Sequence, residues 1–215
     1  MAVSLPNGVI LSLATAYGVS KPITAITNAN PGVASSAAHG LTNGALIELK
    51  SGWQKLNERV LRVADSAAGT FALEGASTLS PIQFPAGTGS GSFREITSFT
   101  QITQVLETST SGGEMQFATY SFLENDFEAQ IPTQASAQSL AITIADDPTL
   151  PGYKALQAAA ELREVRALRI AFPNGSVLLY NGYVSFNETP SMTKGEVMGV
   201  QATFSLLSRP VRYAA

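Results

Sequence analysis

The stretch Arg169-Ile170-Ala171-Phe172-Pro173-Asn174-Gly175-Ser176-Val177, continued by Tyr180-Asn181-Gly182-Tyr183-Val184-Ser185, decides the fold. Arg166, Leu168, Ile170 and Phe172 occupy alternate positions before Pro173-Asn174-Gly175, and Leu178, Tyr180, Val184 and Phe186 share one face after it. Period-two alternation marks half-buried strands, and Asn-Gly between two such runs marks a hairpin, because both residues tolerate positive φ. An antiparallel sheet is expected here.

The same patterning extends outward. Glu196 to Leu207 carries Met198, Val200, Ala202, Phe204 and Leu206 on one face of a last strand. Before the hairpin, Gly152 to Leu162 is alanine-rich and sets Tyr153, Leu156, Ala159 and Ala160 on one helical face. Leu140, Ile142 and Ile144 alternate in a strand that Asp146-Asp147-Pro148 ends, and Val9, Leu11 and Leu13 do so in a first strand over 9–16. The predicted fold class is mainly β, a sandwich with one packed α-helix.

Residues 19–92 read differently. Short strands over Ala45–Lys50, Arg59–Ala64 and Thr70–Glu74 alternate with turn signals, and Pro85 to Ser92 has the composition of a flexible linker. The expectation is a small all-β module, 20–92, inserted into a host domain formed by 1–19 and 93–215.

Only 29 of the 215 residues are charged, 13 Lys/Arg and 16 Asp/Glu, about half the usual share, while apolar residues reach 45%. A core can form, and a net charge of −3 argues against gripping nucleic acid through its phosphates. The absence of cysteine excludes disulfides and thiol chemistry, and His39, the single histidine, would have to serve any serine triad. The run Val9–Leu13 is too short for a signal peptide or a membrane span, so synthesis in the cytoplasm is expected. No catalytic, cofactor-binding or metal-binding residue is assigned.

Charge is distributed unevenly. From Glu95 to Tyr153 there are eight acidic residues and no basic one; from Lys154 onward seven basic residues face four acidic. The asymmetry suits either internal pairing or head-to-tail contacts between copies. Within the acidic stretch, Glu124, Asp126 and Glu128 alternate as calcium ligands do. The sixth and twelfth loop positions hold Ala129 and Ala135 in place of glycine and glutamate, which argues against such a site. The segment is otherwise a solvated loop, or a docking loop anchored by Phe117, Tyr120, Phe122 and Phe127 in a neighbour.

The hairpin quoted above resembles the R-F-P-N-G-T-V…F-x-G-W-V-S hairpin of lambda-like siphophage major tail tube proteins. Ser121-Phe122-Leu123-Glu124-Asn125-Asp126 is similar to their S-Y-L-D-D-E loop, and the helix and Leu207-Ser208-Arg209-Pro210 follow in the family's order. The resemblance spans 93–212 and the first strand. It implies a structural virion protein of the phage tail, assembled in the host cytoplasm into stacked hexameric rings whose sheets join in an inner barrel. Implied partners are the chain itself, a tape measure protein in the lumen, tail terminator and distal tail proteins, and DNA that passes without specific binding; no membrane is implied. The expected inter-subunit residues are Phe117, Tyr120, Phe122, Leu123, Glu124, Asp126, Phe127 and Glu128, with Arg166 and Arg169 as basic counterparts.

Two departures from that family are expected: no appended immunoglobulin-like domain, and the extra residues 20–92. Ala38-His39-Gly40-Leu41-Thr42-Asn43-Gly44, Leu56-Asn57-Glu58-Arg59-Val60 and Thr70-Phe71-Ala72-Leu73 resemble small β modules of phage tail proteins, labelled FCCH after a half-domain of ubiquitin-activating enzymes. The resemblance suggests a position on the outer tube surface and makes His39 a turn residue. Rival readings are a tail terminator or distal tail ring protein, a glycan-binding tail module using Trp53, Tyr17 and Phe84, and, least of all, a hydrolase.

Overall fold

The computed structural model describes residues 7–214. Its elements run β1 (Ile10–Tyr17), β2 (Lys21–Ile23), β3 (Ala25–Ile26), β4 (Val33–Ser35), β5 (Leu46–Ser51), β6 (Arg59–Ala67), β7 (Thr70–Leu73) and β8 (Gly91–Ile102). They continue with β9 (Val105–Ser111), β10 (Met115–Tyr120), β11 (Ala129–Ala135), β12 (Ser139–Ala145), α1 (Pro151–Leu162), β13 (Val165–Ala171), β14 (Val177–Ser191), β15 (Gly199–Leu206) and β16 (Val211–Tyr213). Among the described residues the fold is mainly β, a curled antiparallel sheet of the sandwich type with one helix packed on it.

The β13–β14 hairpin forms with full register from Val165↔Tyr183 to Ala171↔Val177. Its turn differs from the sequence expectation. Only Gly175 takes a left-handed φ, +81°, and its N–H donates to the Phe172 carbonyl at 2.9 Å, while the Phe172 N–H donates to Ser176. Asn174 instead uses its Oδ1 to accept the Ser176 N–H and hydroxyl. This is a three-residue loop with one left-handed glycine, in which proline fixes the first φ.

The helix starts with Pro151 at its first turn and ends at Arg163 in the left-handed region. Tyr153, Leu156 and Ala159 bury the predicted face. At Gly152 a Cβ would come within 2.6 Å of the Gln101 carbonyl oxygen, so only glycine lets the helix start rest directly on the end of β8.

One path of hydrogen-bonded strands links β3-β4-β7-β6-β5-β8-β1-β13-β14-β15-β12-β9. The long strand β8 is the joint: Gly91–Glu95 pairs with β5, and Ile96–Ile102 pairs with β1. Three apolar clusters follow. Leu13, Leu156, Leu168 and Phe204 centre one; Trp53, Phe71 and Phe93 centre a second within 20–93. Ala14, Val60, Ile96, Leu179 and Tyr213 form a third between them. Strand β1 is therefore buried on both faces, Ser12 and Ala14 as well as Leu11 and Leu13.

The segment 85–92 is not a flexible tether. Trp53 Nε1 donates to the Pro85 carbonyl and the Thr88 hydroxyl, both at 2.9 Å, and Gly89 lies against the Trp53 ring. Gly91 and Ser92 already pair in the sheet. Glycines here answer a need for close approach, not for motion.

Candidate functional site

Strands β10 and β11 form a separate two-stranded sheet that, among the described residues, pairs only with itself. Every residue of β10 is exposed, and so is every residue of β11 except the half-buried Ala129. Registers Phe117↔Pro132, Ala118↔Ile131 and Tyr120↔Ala129 put apolar groups on both sides of this arm, Phe117 with Pro132 on one and Tyr120 with Ile131 on the other. The tip, 121–128, adds Phe122 and Phe127, 64% and 72% exposed, and a fully exposed Leu123. Tyr120 and Phe122 meet edge to face at 5.5 Å.

An isolated two-stranded ribbon is marginal in water, and one with apolar groups on both faces has still less reason to stay uncovered. Burying three phenyl groups in a neighbour contributes about 1.5–3 kcal/mol each. The tip also carries Glu124, Asp126 and Glu128, all exposed. Among the described residues no cluster of three or more His, Asp or Glu side chains is arranged to hold a metal ion.

Beside the arm, β9 ends the long sheet. Among the described residues it pairs with β12 on one edge only, and all its residues but Val105 are exposed. Its inner side opens on a cleft of about 530 Å³ lined by Leu11, Val105, Ile170, Phe172, Leu178 and Tyr180. An unpaired strand edge beside apolar surface is a template for another chain.

Eight of the ten expected interface residues thus lie together on the arm. Arg166 and Arg169 lie apart from it, on β13, and both are engaged within the chain. The Arg166 side chain, 13% exposed, pairs with Glu164 at 2.8 Å; the Arg169 guanidinium stacks on Phe99 at 4.5 Å. Met115, Ile131 and Leu106 join the exposed apolar surface without any sequence signal, since nothing in a Thr- and Ser-rich stretch sets them in a period.

The aromatic residues considered for glycan binding are not exposed. Trp53 and Phe84 are buried against each other edge to face at 5.2 Å. Tyr17 is half-buried beneath Arg94 and Arg166, and its hydroxyl accepts the Ala167 N–H at 2.9 Å. Burial pushes that hydroxyl up to about 12. Next to it, the carboxylate of Glu48, 1% exposed, accepts from Arg94 at 2.7 Å; burial raises it, and the Arg94 partner opposes the rise. His39 is a buried bridging residue: its Nδ1 accepts the Leu41 N–H, which leaves Nε2–H to donate to the Ala67 carbonyl at 2.6 Å.

No curated protein matches the sequence. The family model described as phage tail tube protein, TTP, matches residues 51–215, most of the chain, and includes the arm, the free β9 edge, the helix and the hairpin. The chain belongs to the phage tail tube protein family, a structural, non-enzymatic component of the virion tail that self-assembles into a tube.

Proposed function

We propose that the chain builds a siphophage tail tube as stacked hexameric rings, a conduit for DNA during ejection. The observation that carries this reading is the arm: two strands, apolar on both faces and exposed among the described residues of their own chain. Phe117, Tyr120, Phe122, Leu123 and Phe127 enter the adjacent subunit, with Glu124, Asp126 and Glu128 setting register through charge. Arg166 and Arg169, half-buried on β13 and engaged within the chain, are proposed to face another subunit at a contact separate from the arm tip. The free edge of β9 extends the sheet into a neighbour, which removes an edge that a lone subunit would have to protect.

In this reading residues 1–19 and 93–215 form the tube domain, and 20–92 is a module with its own apolar cluster, carried on the outer surface. Assembly takes place in the host cytoplasm. A tape measure protein occupies the lumen, and terminator and distal tail proteins close the two ends. A lumen without clustered cations lets DNA pass without adhering.

Negative-stain microscopy of the purified chain tests the proposal. Extended tubes with six-fold rings are expected, and Asp126→Lys with Glu128→Lys should leave folded monomers or single rings. Wild-type protein that forms only single rings at any concentration would point to a terminator or distal ring role instead.

A further inference from the structure

A second uncovered feature lies at the seam between the 53–59 turn and the C-terminal segment. A cleft of about 490 Å³ is lined by Gln54, Lys55, Arg59, Gln83, Ser208 and Arg209, with no Asp or Glu among the described lining residues. Three cations therefore share the lining with no carboxylate among the described lining residues. The Arg59 Nε is shielded from solvent and has no hydrogen-bond partner. Burial pulls its guanidinium below the ordinary value, with Tyr213 opposing and Arg209 adding to the fall. A shielded Nε without a partner, on a half-buried arginine beside another arginine, favours an oxyanion.

The arm offers what this cleft lacks. Its tip carries three carboxylates inside a stretch, Glu95 to Tyr153, with no cation at all. The two features also share a boundary. Gly112, Gly113, Ser136 and Gln138 at the root of the arm border Leu207, Ser208 and Arg209, the same residues that form one wall of the basic cleft. The six residues of β10 alone carry the tip roughly 20 Å from that root. A head-to-tail repeat with a step near the arm's length brings each tip to the next copy's arm root. Such a heterologous contact, made between one ring and the next, propagates along an axis.

We propose that the Lys55–Arg59–Arg209 cleft is the receptor for the arm tip of a neighbouring copy, and that a carboxylate of Glu124, Asp126 or Glu128 sits against Arg59 and Arg209. The inference rests on the arm being an assembly element, and it names the surface that receives it.

The chain has no cysteine, which makes a disulfide trap clean. Asn125→Cys on the tip and Gln54→Cys at the rim of the cleft leave every charge in place. After assembly and mild oxidation, a non-reducing ladder is expected, with positions 54 and 125 joined between chains in the peptide map. Adding Arg209→Glu should lower that cross-linked fraction at least tenfold. Assembled particles that lack the 54–125 link, or a link indifferent to Arg209→Glu, would overturn the receptor assignment and leave self-assembly intact. Wild-type protein that never assembles would sink the arm reading itself, and this inference with it.

Discussion

The hydroxyl of Tyr213 accepts the backbone N–H of Arg62 at 2.8 Å and donates to the Glu74 carbonyl at 3.2 Å, while the Arg62 guanidinium stacks 4.4 Å from the Tyr213 ring centre. Strand β16 is thereby fastened to β6 and to the turn that follows β7. Tyr213→Phe keeps the ring but strips the Arg62 N–H of its acceptor in a partly buried position. A loss of about 1–3 kcal/mol is expected, read in urea as a lower midpoint at unchanged slope.

Tyr17 makes stability sensitive to alkali. Its hydroxyl ionises at 10.0 ordinarily and at about 12 in the folded chain, chiefly because it is buried. The folded state then holds the proton more tightly than the unfolded one, so stability is fully present below pH 10 and is lost as pH rises toward 12. Tyr17→Phe should reduce the alkaline loss measured by thermal melts across that window. Burial also raises Tyr153, Tyr180 and Tyr213, so the loss shrinks without vanishing.

Gly182, in the middle of β14, lies so near β15 that a Cβ would overlap the Ser205 carbonyl oxygen. Gly182→Ala must push two paired strands apart in the centre of the sheet. Destabilisation of about 3 kcal/mol or more is expected, seen as a drop in soluble folded protein and in melting temperature.

The arm separates folding from assembly. Phe117→Ser, Phe122→Ser and Phe127→Ser remove side chains that touch little of their own chain, so the melting temperature of the dissociated protein should move by less than about 3 °C. Sedimentation velocity and microscopy should nevertheless find the large assemblies gone. A large drop in melting temperature would mean that the arm supports its own subunit.

How much could be read in the sequence depended on where each strand's partner lies. Leu140, Ile142 and Ile144 alternate because one face of β12 packs on the body, and the helix and the β13–β14 hairpin were legible for the same reason. Strands β9, β10 and β11 left no such mark. With both faces exposed there is no contrast between inside and outside, and only the aromatics set among acids hinted at an interface. For β1 the alternation showed one buried face and missed the second, because Ala14, on the same face as the buried Ser12, packs in a cluster built from distant residues such as Val60 and Tyr213. The Trp53 and Phe84 rings show a further limit: residue type identifies a large apolar group but not the direction in which it points. The Arg59–Arg209 juxtaposition is likewise invisible to spacing, since it arises only when the C-terminal segment returns to the 53–59 turn.

Strand β8 belongs to both halves of the molecule, with its first residues in the β5 ladder and its last in the β1 ladder. Residues 20–92 consequently cannot swivel on a tether, because any rotation would have to break a shared strand. In a polymer of such subunits each copy presents this module at one azimuth and one tilt. With 20–92 on the outer surface, as proposed above, the tube acquires a regular relief with its own symmetry. A ligand or a receptor meeting that surface would encounter an ordered lattice of identical projections, whose spacing is fixed by the subunit repeat.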